Sequence, residues 1–410
     1  MPKEGHVSFE DLNMNFGYST FEGSLFLYTE EENEFRQEFR KFVKNEVEPV
    51  ADRIDREENF DLIHGTLKKM GKKGYLSLAF PEEIGGGGKG LVYRTIMGEE
   101  LTALNYATAV TYGASCALYA MPIIKHGTQE QHETFLKPIM NGEKIGAIAM
   151  TEPGAGCDVV GGMRCSAKRS EDGYVINGEK RFITNGSKAS YLLLYVITNP
   201  SVKANQGISA FIFPTDTEGF EVVKDYELMG RRGSVNSLLA FHDCWVPEQC
   251  LLGEENKGFN ILMSGLDGER VFATSQYMGI ARSAFEVALK YSAQRMQFKK
   301  AISEFEGVSF KLAEMYANIE ASRLLDLRAA RMIDADHKAT KEAAIAKFFT
   351  TDMAVKTCTE ALQILGGIGY TKEYPLERYF RDVKIGQISA GSSEIMRFLT
   401  QRELFREIGE

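Results

Sequence analysis

Tyr174-Val175-Ile176-Asn177-Gly178, followed by Arg181-Phe182-Ile183, is the stretch that decides the fold class of this chain. Aromatic and β-branched residues flank an Asn-Gly pair, the dipeptide that tolerates the positive φ values of a tight hairpin turn. The spacing predicts a β-hairpin. Working outward, Tyr191–Ile197 and Ile208–Phe213 are short β-rich runs that end in Asn, Pro and Asp turn residues, and Leu238–Val246 closes the region before Pro247. A small β-domain is therefore expected over residues 145–255.

Both flanks read differently. Phe35, Phe39, Phe42 and Val43 form the apolar face of an amphipathic helix. Further helical segments are expected at Val92–Leu104, Ala114–Lys125 and Gln129–Met140, with Pro122 and Pro138 kinking or shortening the last two. Beyond residue 256, four stripes recur at helical spacing: Ile280, Ala284, Val287, Ala288 and Tyr291; Leu312, Met315 and Ile319; Val355, Cys358, Leu362 and Leu365; and Ile395, Phe398 and Leu399. Four successive amphipathic helices predict a bundle. The expected α+β architecture is an N-terminal α-helical domain (29–144), a middle β-domain (145–255) and a C-terminal four-helix bundle (256–410). An N-terminal extension (1–28) precedes them, and its Phe9, Phe16, Tyr18, Phe21 and Phe26 suggest packing on the body.

The 410 residues are 44% hydrophobic and 26% charged, an ordinary globular balance for two or three domains. A net charge of −9 argues against a nucleic-acid partner and a broad anionic-membrane surface. Six scattered cysteines form no CxxC pair, so free thiols in a reducing compartment are expected. No histidine or cysteine cluster has metal-ligand spacing. The acidic N-terminus lacks the pattern of a signal peptide or presequence, and no apolar run approaches the length of a membrane span. Cytoplasmic localisation is the expectation.

Three clusters carry chemistry. Thr151-Glu152-Pro153-Gly154-Ala155-Gly156-Cys157 is a strand-terminal loop with bare backbone N–H groups and a nearby hydroxyl, able to approach a flat or anionic ligand or to serve as a plain tight turn. Gln363 to Tyr370 ends an apolar helix with three glycines in four residues, more than a C-cap requires. Ser389-Ala390-Gly391-Ser392-Ser393-Glu394 opens the last helix, whose free N–H groups can face a carbonyl or phosphate.

Together with Pro81 to Gly86, Ile183-Thr184-Asn185-Gly186, Met229 to Ser234, Arg295-Met296-Gln297-Phe298 and Arg381-Asp382, these stretches resemble the acyl-CoA dehydrogenase family from about Thr29 to Glu407. Each motif is weak alone; their joint order makes the resemblance specific. It implies a homotetramer with one FAD per subunit, acyl-CoA as substrate and an electron-transfer flavoprotein as electron acceptor. It implies flavin contacts from Thr151, Gly156, Cys157, Phe182, Ile183 and Thr184. Arg295, Gln297, Phe298 and Glu306 would reach the diphosphate and adenosine of a neighbouring subunit's FAD. Gln363, Gly366 and Gly367 would line the adenosine end, and Ser392 and Glu394 would complete the site.

Many family members place the catalytic glutamate in the last loop, where this chain has Ala390. A second branch, including the isovaleryl- and long-chain-type enzymes, carries it on a bundle helix. Glu269, within Ser264-Gly265-Leu266-Asp267-Gly268-Glu269-Arg270, falls on that slot. Ala390 and Gly391 match the small residues opposite it. By resemblance, Glu269 removes the α-proton while the β-hydride leaves to the flavin, the backbone N–H of Ala390 polarises the thioester carbonyl, Cys157 contacts the thioester, and Asp267 and Arg270 hold the CoA side. Desolvation by substrate is expected to raise the glutamate's pKa.

Three departures from the family pattern stand out. Cys157 replaces a common serine, Glu306 stands where glutamine is frequent, and Lys299-Lys300 offers a compensating charge for Glu306. Glu100 to Ala107 lacks the carboxylate-binding arginine of glutaryl-type enzymes, so the substrate reading is a branched, cyclic or aromatic-bearing acyl group. Competing readings are an enoyl-CoA reductase using the same residues in reverse, an acyl-CoA oxidase, and a redox-silent relative acting as a binding protein.

Overall fold

The computed structural model describes residues 7, 8, 12 and 27–409. Phe9, Phe16, Tyr18, Phe21 and Phe26 lie outside the described residues. Two described residues of the extension do meet the body: Leu12 is buried against the C-terminal helices, and the Val7 carbonyl accepts a 2.6 Å bond from the Tyr374 hydroxyl.

Helices α1 (Glu30–Glu46), α2 (Glu48–Glu57), α3 (Phe60–Lys72), α4 (Leu91–Thr102), α5 (Tyr106–Tyr112), α6 (Ala120–His126), α7 (Gln129–Gln131) and α8 (Lys137–Met140) come first. A capping box starts α1: Thr29 Oγ1 accepts from the Glu32 N–H, and the Glu32 carboxylate accepts from the Thr29 N–H. Pro122 and Pro138 do not break their helices. Instead π-turns at Gly113–Tyr119 and His132–Leu136 precede them and absorb the missing donor, so α5 runs on into α6 and α7 into α8. The run Tyr106–His126 is, contrary to expectation, long and apolar enough to cross a membrane by length and composition. Its most apolar window is 78% buried inside the fold, which makes it a core helix.

Strands β1 (Gly146–Ala149), β2 (Ser166–Ser170), β3 (Gly173–Thr184), β4 (Tyr191–Ile197), β5 (Ile208–Pro214), β6 (Phe220–Asp225), β7 (Asn236–Pro247) and β8 (Leu251–Leu252) form one sheet in the order β6-β7-β3-β2-β4-β5-β8, with β1 parallel to β4; a short helix α9 (Val159–Gly162) lies between β1 and β2. The expected Asn177-Gly178 hairpin is overturned. β3 is one continuous strand, and Gly178 (φ 137°) sits in a β-bulge opposite β7. Asn177 bonds Asp243 on β7 through both side-chain ends at 2.9 Å, and a Cβ on Gly178 would lie 2.6 Å from Cys165. The chain turns instead between β2 and β3. Strands β4 and β5 are buried on both faces, so they show no alternation. Leu193, Tyr195 and Ile212 pack on the N-terminal helices, whereas Leu192, Leu194 and Phe211 pack with Tyr174, Leu239 and Phe241 of the same sheet.

The C-terminal part holds α10 (Gly258–Gln294), a two-stranded hairpin of β9 (Met296–Gln297) and β10 (Lys300–Ala301), α11 (Glu306–Asp334), α12 (Thr340–Leu365), α13 (Leu376–Val383) and α14 (Ser393–Glu407). The first two apolar stripes are buried as expected. On α12 Cys358 and Leu365 are buried as expected, with Ala354 and Ala361 completing the buried face, while Val355 and Leu362 are only partly buried at its edge. On α14 Phe398 is exposed, and Met396 and Leu399 pack inward. All six cysteine sulfurs are unpaired, and Cys157 alone is exposed.

A buried charge network joins the first and last parts. Glu99 of α4 meets Arg282 of α10 at 3.1 Å and Arg323 of α11 at 2.9 Å, while Glu100 meets Arg40 of α1 at 2.9 Å. This fixes the long helix α10, which carries Glu269, against the N-terminal helices.

Candidate active site

Glu269 lies in the fourth turn of α10. Burial raises its carboxyl pKa to about 7, against the opposing pull of the Arg270 and Lys347 charges. The desolvation expected from substrate is thus already partly present. Gly265 lies one turn before Glu269 and Gly268 directly before it; a Cβ on either would make ordinary van der Waals contact, 3.9 Å from Pro122 and Leu91 respectively. Arg270 is buried and donates to Asp267 at 2.9 Å, and Thr340 donates to the other Asp267 oxygen at 2.6 Å. Arg270 and Asp267 thus stiffen the helix around the glutamate.

Across from α10, the loop that opens α14 is held in a left-handed conformation at two consecutive residues, Ala390 (φ 55°) and Gly391 (φ 86°). Ser392 Oγ caps α14 by accepting from the Ile395 N–H. The exposed Glu394 carboxyl is held below its usual pKa by its own backbone N–H and by Ser392. The Lys347 ammonium of α12, fully buried, donates to the Gly386 and Gly391 carbonyls at 2.6 Å each.

The sheet supplies the third wall. The Arg181 N–H donates to the Thr151 carbonyl at 2.7 Å, bringing Thr151 beside Phe182 and Thr184. Phe182 adopts φ 57° and is 51% exposed, an unusual presentation for an aromatic residue in a strand. Asn236 donates to the Phe182 carbonyl, yet its own buried Oδ1 has no hydrogen-bond partner among the described residues. The Ile183 side chain faces the sheet core, so only its backbone is available. Gly156 and Cys157 lie on the exposed loop after Thr151, with open space around Gly156.

Arg231 links sheet to bundle. Its guanidinium donates to Thr184 Oγ1 at 3.3 Å, and its backbone N–H donates to Asp382 of α13 at 2.5 Å. Its charge reaches the buried Tyr106–Tyr277 pair, whose hydroxyls are 2.7 Å apart; the Tyr277 hydroxyl is 3.3 Å from Ser389 Oγ. Lys347, Tyr106 and Tyr277 were missed in the sequence because a lone buried lysine or tyrosine has no local signature. Arg231 and Asp382 stood inside quoted motifs without a role.

The remaining candidates are elsewhere. Arg295 is 26 residues beyond Glu269 on α10, roughly 40 Å away at 1.5 Å per residue. Gln297 and Phe298 occupy the β9–β10 hairpin, where Phe298 and Lys299 both have positive φ and Phe298 is 88% exposed. Gln363, Gly366 and Gly367 end α12, and a Cβ on Gly366 or Gly367 would meet nothing within 4 Å. Gly369, in contrast, is packed on Leu365, so its glycine is a packing requirement. Glu306 is exposed at the start of α11, and among the described residues neither Lys299 nor Lys300 forms an ion pair with it; Lys300 lies over the Phe305 ring instead.

Comparison with known proteins matches this arrangement along its length. Residues 29–143 fit the acyl-CoA dehydrogenase N-terminal domain, 147–244 the middle domain and 256–405 the C-terminal domain. The chain belongs to the acyl-CoA dehydrogenase family. It is 40% identical over 381 residues to a short-chain specific acyl-CoA dehydrogenase of Clostridium acetobutylicum, covering 93% of this chain and 100% of that one. It is 38% identical over 390 residues to a mitochondrial isovaleryl-CoA dehydrogenase of Solanum tuberosum, covering 95% and 94%. The butyryl-CoA dehydrogenase structure of Megasphaera elsdenii superposes with a TM-score of 0.88 at 38% identity, covering 92% and 99%. As a member of this family the chain is a flavin-dependent oxidoreductase whose cofactor is FAD. The half-exposed Phe182, the Thr151 and Thr184 hydroxyls and the open Gly366–Gly367 turn fit such a group.

Proposed function

We propose that this acyl-CoA dehydrogenase family member oxidises a branched, cyclic or aromatic-bearing acyl-CoA to its 2-enoyl-CoA, with Glu269 as the base. The observation that carries the reading is a carboxyl raised to about 7 on α10, opposite the left-handed Ala390–Gly391 turn that Lys347 of α12 holds. Glu269 takes the α-proton onto its carboxylate. The Ala390 N–H donates to the thioester carbonyl and stabilises charge as it develops there. FAD, when bound, supplies the acceptor for the hydride leaving Cβ as the new double bond forms. Thr151, Phe182 and Thr184 hold its ring, with Gly156 and Cys157 beside them and Ser392 and Glu394 closing the site. Arg270 and Asp267 hold the CoA side.

Glu306, Gln363, Gly366 and Gly367 would line the adenosine end of FAD, while Arg295, Gln297 and Phe298 lie at the far end of α10 from Glu269. Their distance supports a homotetramer in which they reach a neighbour's FAD. Exposed Phe298, Phe310, Tyr370, Phe398 and Ile408 supply apolar surface for such assembly. Electrons then pass to an electron-transfer flavoprotein, in a cytoplasmic setting.

Anaerobic mixing with a panel of acyl-CoA thioesters, followed by flavin absorbance, tests this reading. Bleaching by a branched or cyclic thioester in the parent and none in Glu269→Ala is expected. Equal bleaching in both proteins sinks Glu269 as the base.

A further inference from the structure

Resting on the dehydrogenase reading above, we propose that Lys347 is a positioning residue: its buried ammonium pins the backbone on both sides of Ser389 and Ala390 and lends Glu269 a compensating positive charge. Lys347 is fully buried on α12, yet among the described residues it forms no ion pair within hydrogen-bonding distance. Two of its three donors are spent on main-chain carbonyls, Gly386 before the turn and Gly391 after it, both at 2.6 Å. A buried ammonium is costly to desolvate, and a leucine or methionine would fill the space without that cost. The charge therefore marks a requirement of the site.

Up to Ser389 the turn is held by bonds from the Ile388 and Ser389 N–H groups and the Ser389 hydroxyl to the Ile385 carbonyl; Lys347 ties down the residues beyond. Ala390 and Gly391 both have positive φ, a conformation that is strained for an alanine. Gly386 is wedged between Tyr277 and Thr351, whose atoms lie 2.8 and 2.9 Å from where its Cβ would be, so that end of the turn is seated on α10 and α12. At the other end a Cβ on Gly391 would lie 2.5 Å from Met396 Cε, and the Gly391 carbonyl is held by the Lys347 bond. Its loss would release the Ala390 N–H from its aim.

The same ammonium faces charges on three helices. Glu269 and Arg270 face it from α10, Asp352 from α12 itself, and Glu394 from α14. Glu269 in turn feels Arg270, Lys347 and the Tyr277 phenol. Burial lowers the Lys347 pKa to about 8, so the charge is present through the range in which Glu269 ionises.

The test is the pH profile of kcat, with KM, for the parent, Lys347→Met and Lys347→Gln, after checking that each variant has parental circular dichroism and flavin content. In Lys347→Met both bonds and the charge are gone. The expected result is a kcat lower by about tenfold or more, a raised KM, and an ascending limb moved up by about one pH unit. The sign follows from the charge: a cation lowers a carboxylate's pKa, so its removal raises it, and the ionised base appears at higher pH. Lys347→Gln keeps a donor without the charge, so it should retain more of KM while showing the same upward limb. It also decides the matter if the methionine variant fails to fold. A folded variant whose limb stays within about 0.3 units and whose kcat and KM stay within about twofold overturns the inference. Turnover that survives Glu269→Ala would instead overturn the assignment of the base, which is a separate outcome.

Discussion

The backbone N–H of Arg231 donates to the Asp382 carboxylate at 2.5 Å, and through this bond the loop before β7 is docked on the C-terminal helices. The Arg231 side chain then reaches Thr184, whose hydroxyl we propose meets the flavin ring. Asp382→Ala should therefore weaken cofactor retention without touching the cofactor. We expect a lower FAD-to-protein ratio after gel filtration, with Asp382→Asn, which keeps an acceptor, close to the parent. An unchanged ratio in the alanine variant would remove Asp382 from the account.

Asp382 also predicts a pH effect on stability. Burial raises its pKa from the ordinary carboxylate range to about 6, with the Arg231 N–H and nearby arginines opposing. A carboxyl whose folded pKa lies above its unfolded one binds its proton more tightly when folded. Its contribution is therefore present at low pH and is lost as pH rises through about 6. Urea midpoints of Asp382→Asn against the parent should diverge in favour of the variant between about pH 4 and pH 6. Parallel curves would show that this group does not titrate as described.

As the proposed base, Glu269 should set the ascending limb of activity. With its pKa near 7, turnover should rise as pH passes through that value, because only the carboxylate accepts the α-proton. Glu269→Gln should lower kcat by about 10²-fold or more with FAD content unchanged. A limb that persists in residual Glu269→Gln turnover would assign it to another group.

The buried network around Glu99 is structural. Glu99→Ala leaves the guanidinium groups of Arg282 and Arg323 without the carboxylate they now meet, and should cost about 3–5 kcal/mol. Denaturation midpoints measure this, and a loss below about 1 kcal/mol would mean the arginines find other partners.

Phe182 offers a fifth test. Its exposed ring in a left-handed backbone should stack on the flavin, so Phe182→Trp should hold FAD as well as the parent and Phe182→Ala less well. Equal FAD affinity in all three would indicate that the ring makes no such contact.

Much of this was legible in the chain itself. The helical stripes of α1, α10 and α11 and the β-rich middle region are local patterns, set by residue spacing within one or two turns. The position of Glu269 beside two glycines, and the small residues at 390 and 391, could also be read directly. Long-range contacts decided the rest. Asn-Gly at 177–178 makes a bulge because Asp243 and Cys165 arrive from other strands, and local turn propensity yields to them. Strands β4 and β5 lose their alternation because both faces are covered. The roughly 40 Å between Arg295 and Glu269 follows from the uninterrupted length of α10, which no motif announces. The environment of Lys347 comes from α10, α14 and the turn between α13 and α14, so its chemistry exists only once those elements pack around one buried ammonium.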